Sequence, residues 1–148
     1  MRARVILSCL VWVVICLLIG AISGWLNSTA DTAWLVNLHK PIFNPPSWLF
    51  APVWTVLYVM IGLAGGLIWC VRRKSPLLLT LYIWQLLLNF IWTFIFFGAH
   101  QIEWALVDII LLWLSLIWLI YLACRAKRKA VVLLLLPYFL WLTFATIL

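Results

Sequence analysis

Four stretches of this chain set hydrogen-bonding and aromatic side chains at helical spacing inside long apolar runs. Gln85, Asn89 and Thr93 recur every four residues, with Trp92 and Phe96 beside them. Asp108 and Ser115 stand seven apart and share one helix face; Trp54, Tyr58 and Gly62 share another, and Tyr138, Trp141 and Ala145 lie about one turn apart. Amides, hydroxyls and indole N–H groups exchange hydrogen bonds, and indole and phenol rings offer flat surfaces for stacking. Such a set suits the holding of helices or of a ligand better than the making or breaking of bonds. There is no nucleophile beside a base, no Gly-rich phosphate loop and no metal cluster. His39 and His100 are far apart without partner ligands, so neither reads as a metal site.

Asp108 is the one carboxylate well inside an apolar run, and no Lys or Arg lies at its depth. It is therefore either hydrogen-bonded to Asn, Thr, Tyr or Trp donors or protonated, and it serves either helix packing or a ligand. The Gln85, Asn89 and Thr93 stripe has the same two readings, because interhelical hydrogen bonds need the same residues as ligand contacts. A proton-driven transporter would call for a second buried carboxylate or a partner base, and neither is present.

The elements that position these residues must be membrane spans. The chain is 69% hydrophobic and 9% charged, outside the range of soluble domains. Five apolar runs, at about residues 5–25, 48–70, 76–97, 104–124 and 130–148, each approach the roughly 20 residues that cross a bilayer. The fold class is thus all-α, an integral membrane five-helix bundle forming one transmembrane domain over residues 1–148. Arg2, Arg4, Arg72, Arg73, Lys74, Arg125, Lys127, Arg128 and Lys129 all fall on one side when the spans alternate, leaving Lys40 on the other. This pattern sets topology, with the N-terminus cytoplasmic and the C-terminus outside, in a bacterial inner membrane; it argues against nucleic acid as a partner and admits contact with anionic lipid heads. A cleaved signal peptide is the competing reading of the first run, which is long for one and contains Trp12.

Cys9, Cys16, Cys70 and Cys124 show no paired or zinc-type spacing and read as buried small hydrophobes. Gly20 and Gly24, and Gly62 and Gly66, have the spacing of close helix packing, within one bundle or between two chains. Trp25, Trp48, Trp69 and Trp104 at span ends read as an interfacial belt. Trp54 and Trp141 lie deeper. At 1.5 Å per residue they are about 9 and about 10 Å from the outer ends of their spans, with Asp108 at about 7 Å and Asn89 at about 13 Å. Aromatic and polar groups from four helices thus share one level, which suggests a pocket opening outward with residues 25–47 as its lid. Within that loop Pro41, Pro45 and Pro46 stiffen the approach to the second span, Ser47 sits where an N-cap belongs, and Pro52 falls in the first turn.

By these residues the chain resembles the TspO/MBR family, the tryptophan-rich sensory protein, translocator protein or peripheral benzodiazepine receptor type. The resemblance rests on Trp34; on Lys40-Pro41-x-Phe43-x-Pro45-Pro46-x-Trp48-x-Phe50-x-Pro52-Val53-Trp54-Thr55-x-Leu57-Tyr58; on Gln85-Leu86 and Leu88-Asn89-x-x-Trp92 before Phe96-Phe97-Gly98; on Ala105-Leu106-Val107-Asp108; and on Pro137-Tyr138-x-x-Trp141-x-x-Phe144-Ala145. Leu35, Ala51 and Thr93 depart from the family pattern, where Tyr, Gly and Ser are usual. The resemblance implies a five-helix bundle, commonly a homodimer, whose cavity binds protoporphyrin, haem-type tetrapyrroles or synthetic isoquinoline and benzodiazepine ligands, with no cofactor required. It marks Trp54 and Trp141 as facing a bound porphyrin, Asn89 and Asp108 as polar pocket residues and Ala145 as a small lining residue. Tyr58, Thr93 and Tyr138 join this ligand set from their place on the same faces, and Trp34 and Phe43 join the lid. Leu119, Tyr121 and Arg125 fit a loose sterol pattern, but topology explains the arginine better.

The function expected is that of a porphyrin-binding receptor or translocator with a regulatory or stress-sensing role in membrane transport. One alternative is an enzyme-like, light- and oxygen-dependent degradation of porphyrin in which Trp54 and Trp141 are the catalytic candidates. The other is a structural or partner-binding membrane protein.

Overall fold

A computed structural model describes residues 2–30, 42 and 44–147. Helix α1 spans Arg2–Thr29, α2 Phe50–Val71, α3 Pro76–Thr93, α4 Ile102–Arg125 and α5 Lys129–Ile147, and these helices are long and apolar enough to cross a membrane. The protein is a multi-pass membrane protein of all-α class. In lipid the backbone must satisfy its own hydrogen bonds, and helices of this length do so within each segment.

The helix ends follow from local chemistry. α1 runs past Trp25 because Ser28 and Thr29 return their hydroxyls to Trp25 O and Leu26 O at 2.7 and 3.0 Å. The expected N-cap at Ser47 does not form. Pro46, at φ −61° and ψ 141°, takes the cap position of a 3₁₀ turn at Ser47–Leu49, which leads directly into α2 and leaves Ser47 inside the first turn without a capping bond. Pro52 lies in the first turn of α2, where its missing amide costs least. Pro76 opens α3 for the same reason. α3 continues through a π-helical turn, Phe94–Gly98, which brings Phe96 flat against Trp92, their rings 4.9 Å apart and 10° from parallel.

Around the bundle, α1 packs on α2, α2 on α5, α5 on α4 and α4 on α3, and α3 closes back onto α2 and α1. The α1–α2 contact is the closest. A Cβ added at Gly62 would stand 2.5 Å from Val13 Cα, and one at Gly66 would meet Cys9 backbone atoms, so only glycine lets the two backbones approach. The Gly62 and Gly66 motif therefore serves packing within the bundle. Gly20 meets the Tyr58 ring, whereas an added Cβ at Gly24 has nothing within 4 Å.

The cysteine reading is corrected by the same packing. Cys16 alone is buried; Cys9 is half-buried and Cys70 and Cys124 are exposed, because they sit at helix ends on faces turned outward. Among the tryptophans, Trp25, Trp48 and Trp104 are exposed as a belt requires, and Trp69 carries the Arg72 guanidinium over its ring at 4.1 Å.

Candidate functional site

Asn89, midway along the polar stripe of α3, ties three helices together. Tyr58 of α2 donates its hydroxyl to Asn89 Oδ1 at 2.7 Å, and Asn89 Nδ2 donates to the Tyr138 hydroxyl of α5 at 3.0 Å. All three side chains are buried. Both ends of the amide are engaged, so the geometry gives Asn89 the helix-joining role that the sequence left open. Trp54, one turn before Tyr58, lays its ring 5.5 Å from Tyr58 and 6.3 Å from Tyr138, closing the apolar side of this cluster. An aromatic wall backed by a satisfied hydrogen-bond chain is rigid, because breaking any bond leaves a buried polar atom unpaired.

The neighbouring polar groups are not satisfied in this way. Asp108 is buried on α4, and its Oδ2 has no hydrogen-bond partner; the same holds for Trp141 Nε1 and for both ends of the Gln85 amide. Ser115 turns back to its own helix, donating to Leu112 O at 2.8 Å, so it does not join Asp108 in an interhelical bond. Thr93 is buried on the stripe and Ala145 is half-buried on α5.

Trp141 occupies a different position from Trp54. Its ring packs against Phe50 at 5.8 Å and Phe144 at 5.6 Å. It lines a groove of about 590 Å³ between α2 and α5, together with Pro45, Leu49, Val53, Leu57, Pro137, Leu140 and Phe144. The groove is lined by apolar and aromatic residues and is open, with Leu140 on its lining exposed. Of the residues expected to touch ligand, Trp141 lines the groove, while Trp54, Tyr58, Asn89 and Tyr138 form the packed wall behind it on the inward faces of the same helices and α3. Pro45 of the expected lid is part of the lining, and Pro46 holds the extended turn that follows it. Trp34, Pro41 and Phe43 lie outside the described residues.

A second buried cluster went unread in the sequence. The Tyr82 hydroxyl donates to Ile61 O at 2.9 Å and lies 3.4 Å from Cys16 Sγ, while Trp12 meets the Tyr82 ring edge-on at 5.2 Å. Its signal was available, since Tyr82 precedes Gln85 by three residues and so shares the polar face of α3. Trp113 Nε1 donates to Thr143 Oγ1 at 2.9 Å, joining α4 to α5. Nothing in sequence separates that tryptophan from the lipid-facing Trp118.

With this geometry in place, comparison with known proteins is decisive: the sequence profile of the TspO/MBR family matches residues 12–148. The chain belongs to the TspO/MBR family. It is 36% identical over 136 residues to the tryptophan-rich protein TspO of Chlorobaculum tepidum, covering 89% of this chain and 85% of that protein. To the TspO of Archaeoglobus fulgidus it is 37% identical, with 88% and 84% covered. The human translocator protein is 38% identical over 122 residues, with 76% of this chain and 69% of the human protein covered. A TspO/MBR protein with these properties is a membrane protein of the translocator and sensory-protein kind, and its bundle here centres on the Asn89 junction.

Proposed function

We propose that this TspO/MBR protein binds a tetrapyrrole of the protoporphyrin or haem type at the α2–α5 groove, as a receptor or translocator with a regulatory or stress-sensing role. The observation that carries the reading is Trp141: a half-buried indole facing an apolar groove of about 590 Å³, its N–H buried and without an acceptor. That volume lies within the range of small-molecule sites, which are lined mainly by apolar and aromatic side chains. The macrocycle's flat face packs on Trp141 and the apolar walls. The Trp54, Tyr58, Asn89 and Tyr138 wall keeps the groove's inner side fixed, so the site is preorganised and binding orders little. The names of relatives, "Translocator protein" and "Tryptophan-rich sensory protein", describe those proteins as carriers or sensors and support a ligand-handling role here. Our reading places the basic end of the bundle in the cytoplasm of a bacterial inner membrane, the C-terminus outside, and two chains together as a homodimer.

Protoporphyrin titration of the purified protein, followed by tryptophan quenching in the dark and then under light, tests the reading. Saturable dark binding that weakens in Trp141→Ala supports it. A ligand that is consumed under light to a new absorbing product, with consumption lost in Trp54→Phe or Trp141→Phe, would instead make the protein a porphyrin-degrading enzyme. Absence of binding in both conditions leaves a structural or partner-binding membrane protein.

A further inference from the structure

One end of the bundle concentrates the chain's basic residues. Helices α1, α3 and α5 start there and α2 and α4 end there, bringing together every basic residue of the chain except Lys40. Among the described residues the side-chain carboxylates are Glu103 and Asp108, both in the first two turns of α4 at the opposite end of the bundle, so neither pairs with these cations. Three helix N-termini and two helix C-termini meet at this surface, so the helix dipoles largely cancel and the side chains supply its charge.

The turn between α4 and α5 is the most specific feature. Lys127 N–H donates to Cys124 O at 2.9 Å and Arg128 N–H to Ala123 O at 2.8 Å, the paired bonds of a Schellman closure. That closure needs a residue in the left-handed region, and Lys127 is there at φ 56°. Glycine is the ordinary occupant because any Cβ is strained in that region. A lysine in its place keeps a cation at the cost of backbone strain, which points to a use for the charge. Arg128, next in sequence, has a buried Nε with no hydrogen-bond partner. Arg72, on the neighbouring corner, is held by Nη1 donating to Trp69 O at 2.8 Å while its guanidinium lies over the Trp69 ring. Cations seated on aromatic rings at the ends of membrane spans lie at headgroup depth.

We propose that this end of the bundle is a binding surface for anionic phospholipid headgroups, with Lys127, Arg128 and Arg72 as the phosphate-contacting residues. A membrane lipid fits better than an acidic protein, because the cations lie within a residue or two of the helix ends and reach the bilayer's own phosphates without extending into the aqueous phase. Binding is electrostatic, so it weakens with salt. Each basic residue near an anionic surface is worth about fivefold in partition.

The test uses the folded, purified protein, so that topology is already set. It is reconstituted in vesicles of equal phosphatidylglycerol and phosphatidylcholine, and the lipids retained after extraction are counted by native mass spectrometry. Phosphatidylglycerol is expected to be retained preferentially, and Lys127→Gly, Arg128→Gln and Arg72→Gln each to reduce that preference severalfold, as does high salt. Lys127→Gly also separates this role from a structural one. In lipid-free detergent its thermal midpoint is expected to equal or exceed that of the wild type, because strain is relieved, while added phosphatidylglycerol raises it less. Equal retention of the two lipids, or a Lys127→Gly variant less stable in detergent with unchanged lipid preference, overturns the proposal. So does binding of poly-glutamate with no enrichment of phosphatidylglycerol, which would give the surface to an acidic protein.

Discussion

Gly62 and Gly24, from two glycine pairs with identical spacing, should respond oppositely to one methyl group. At Gly62 an added Cβ lies 2.5 Å from Val13 Cα, 2.8 Å from Val13 N and 2.9 Å from Trp12 O, all backbone atoms that cannot rotate aside. Ordinary contact begins at 3.4 Å, so α1 must retreat by about 1 Å along most of its interface. Overpacking of this kind costs about 1–3 kcal/mol. Alanine returns part of that through its better helix propensity, up to about 1 kcal/mol. Because the atoms met are backbone, the overpacking cost falls at the top of that range, and the net expectation for Gly62→Ala is a loss of about 2 kcal/mol, as for Gly66→Ala against Cys9. Trp12 moves with α1, and so its edge contact with Tyr82 and its 6.0 Å contact with Trp69 loosen. Gly24→Ala is the control: nothing lies within 4 Å of its new methyl, and the expected change is zero or slightly stabilising. Reversible unfolding in mixed micelles, with oligomeric state measured in parallel, reads all three. A Gly62→Ala protein as stable as the wild type, or one whose stability holds while its dimer fraction falls, would refute the assignment of this motif to packing within the chain.

Other expectations follow from single contacts. Tyr58→Phe leaves Asn89 Oδ1 buried without its donor and should cost about 1–3 kcal/mol; combining it with Asn89→Leu should cost less than the sum of the two singles in a double-mutant cycle. Ser47→Ala should change stability by less than about 0.5 kcal/mol, since no capping bond is present to lose. Trp113→Phe removes the bond to Thr143 and should cost about 0.6 kcal/mol, the average for interhelical hydrogen bonds in a membrane. In folded protein held in detergent, N-ethylmaleimide should modify Cys70 and Cys124 readily and Cys16 only on unfolding, as read by intact mass.

The bundle itself was legible because bilayer thickness demands long apolar runs, and proline marks where two of them start. The helix-joining role of Asn89 was half legible. Its depth and face were readable from helical rise, but whether its amide meets a ligand or two tyrosines depends on which helices are neighbours, and α5 lies beside α2 only after the chain has crossed the membrane three more times. Trp54 and Trp141 looked equivalent in sequence, being at similar depth on the second and fifth spans. They separate because Trp54 turns inward onto Tyr58 and Tyr138, while Trp141 turns to the seam between α2 and α5. Ser47 misled because cap preference is local, whereas Pro46 had already fixed the extended backbone that a cap residue needs. The cysteines misled because burial in a bundle is a property of a face, and a small apolar side chain is equally at home against lipid.

Dark titration of protoporphyrin into wild type and three tryptophan variants tests the central claim most directly. One saturable site per chain is expected, weakened about tenfold or more in Trp141→Ala, for which loss of the stacking surface accounts. Trp54→Ala should weaken it by loosening the wall behind the groove, and Trp84→Ala, whose indole faces lipid, should leave it unchanged. Equal affinity in Trp141→Ala and wild type, or equal losses in Trp141→Ala and Trp84→Ala, would contradict a site at the α2–α5 groove.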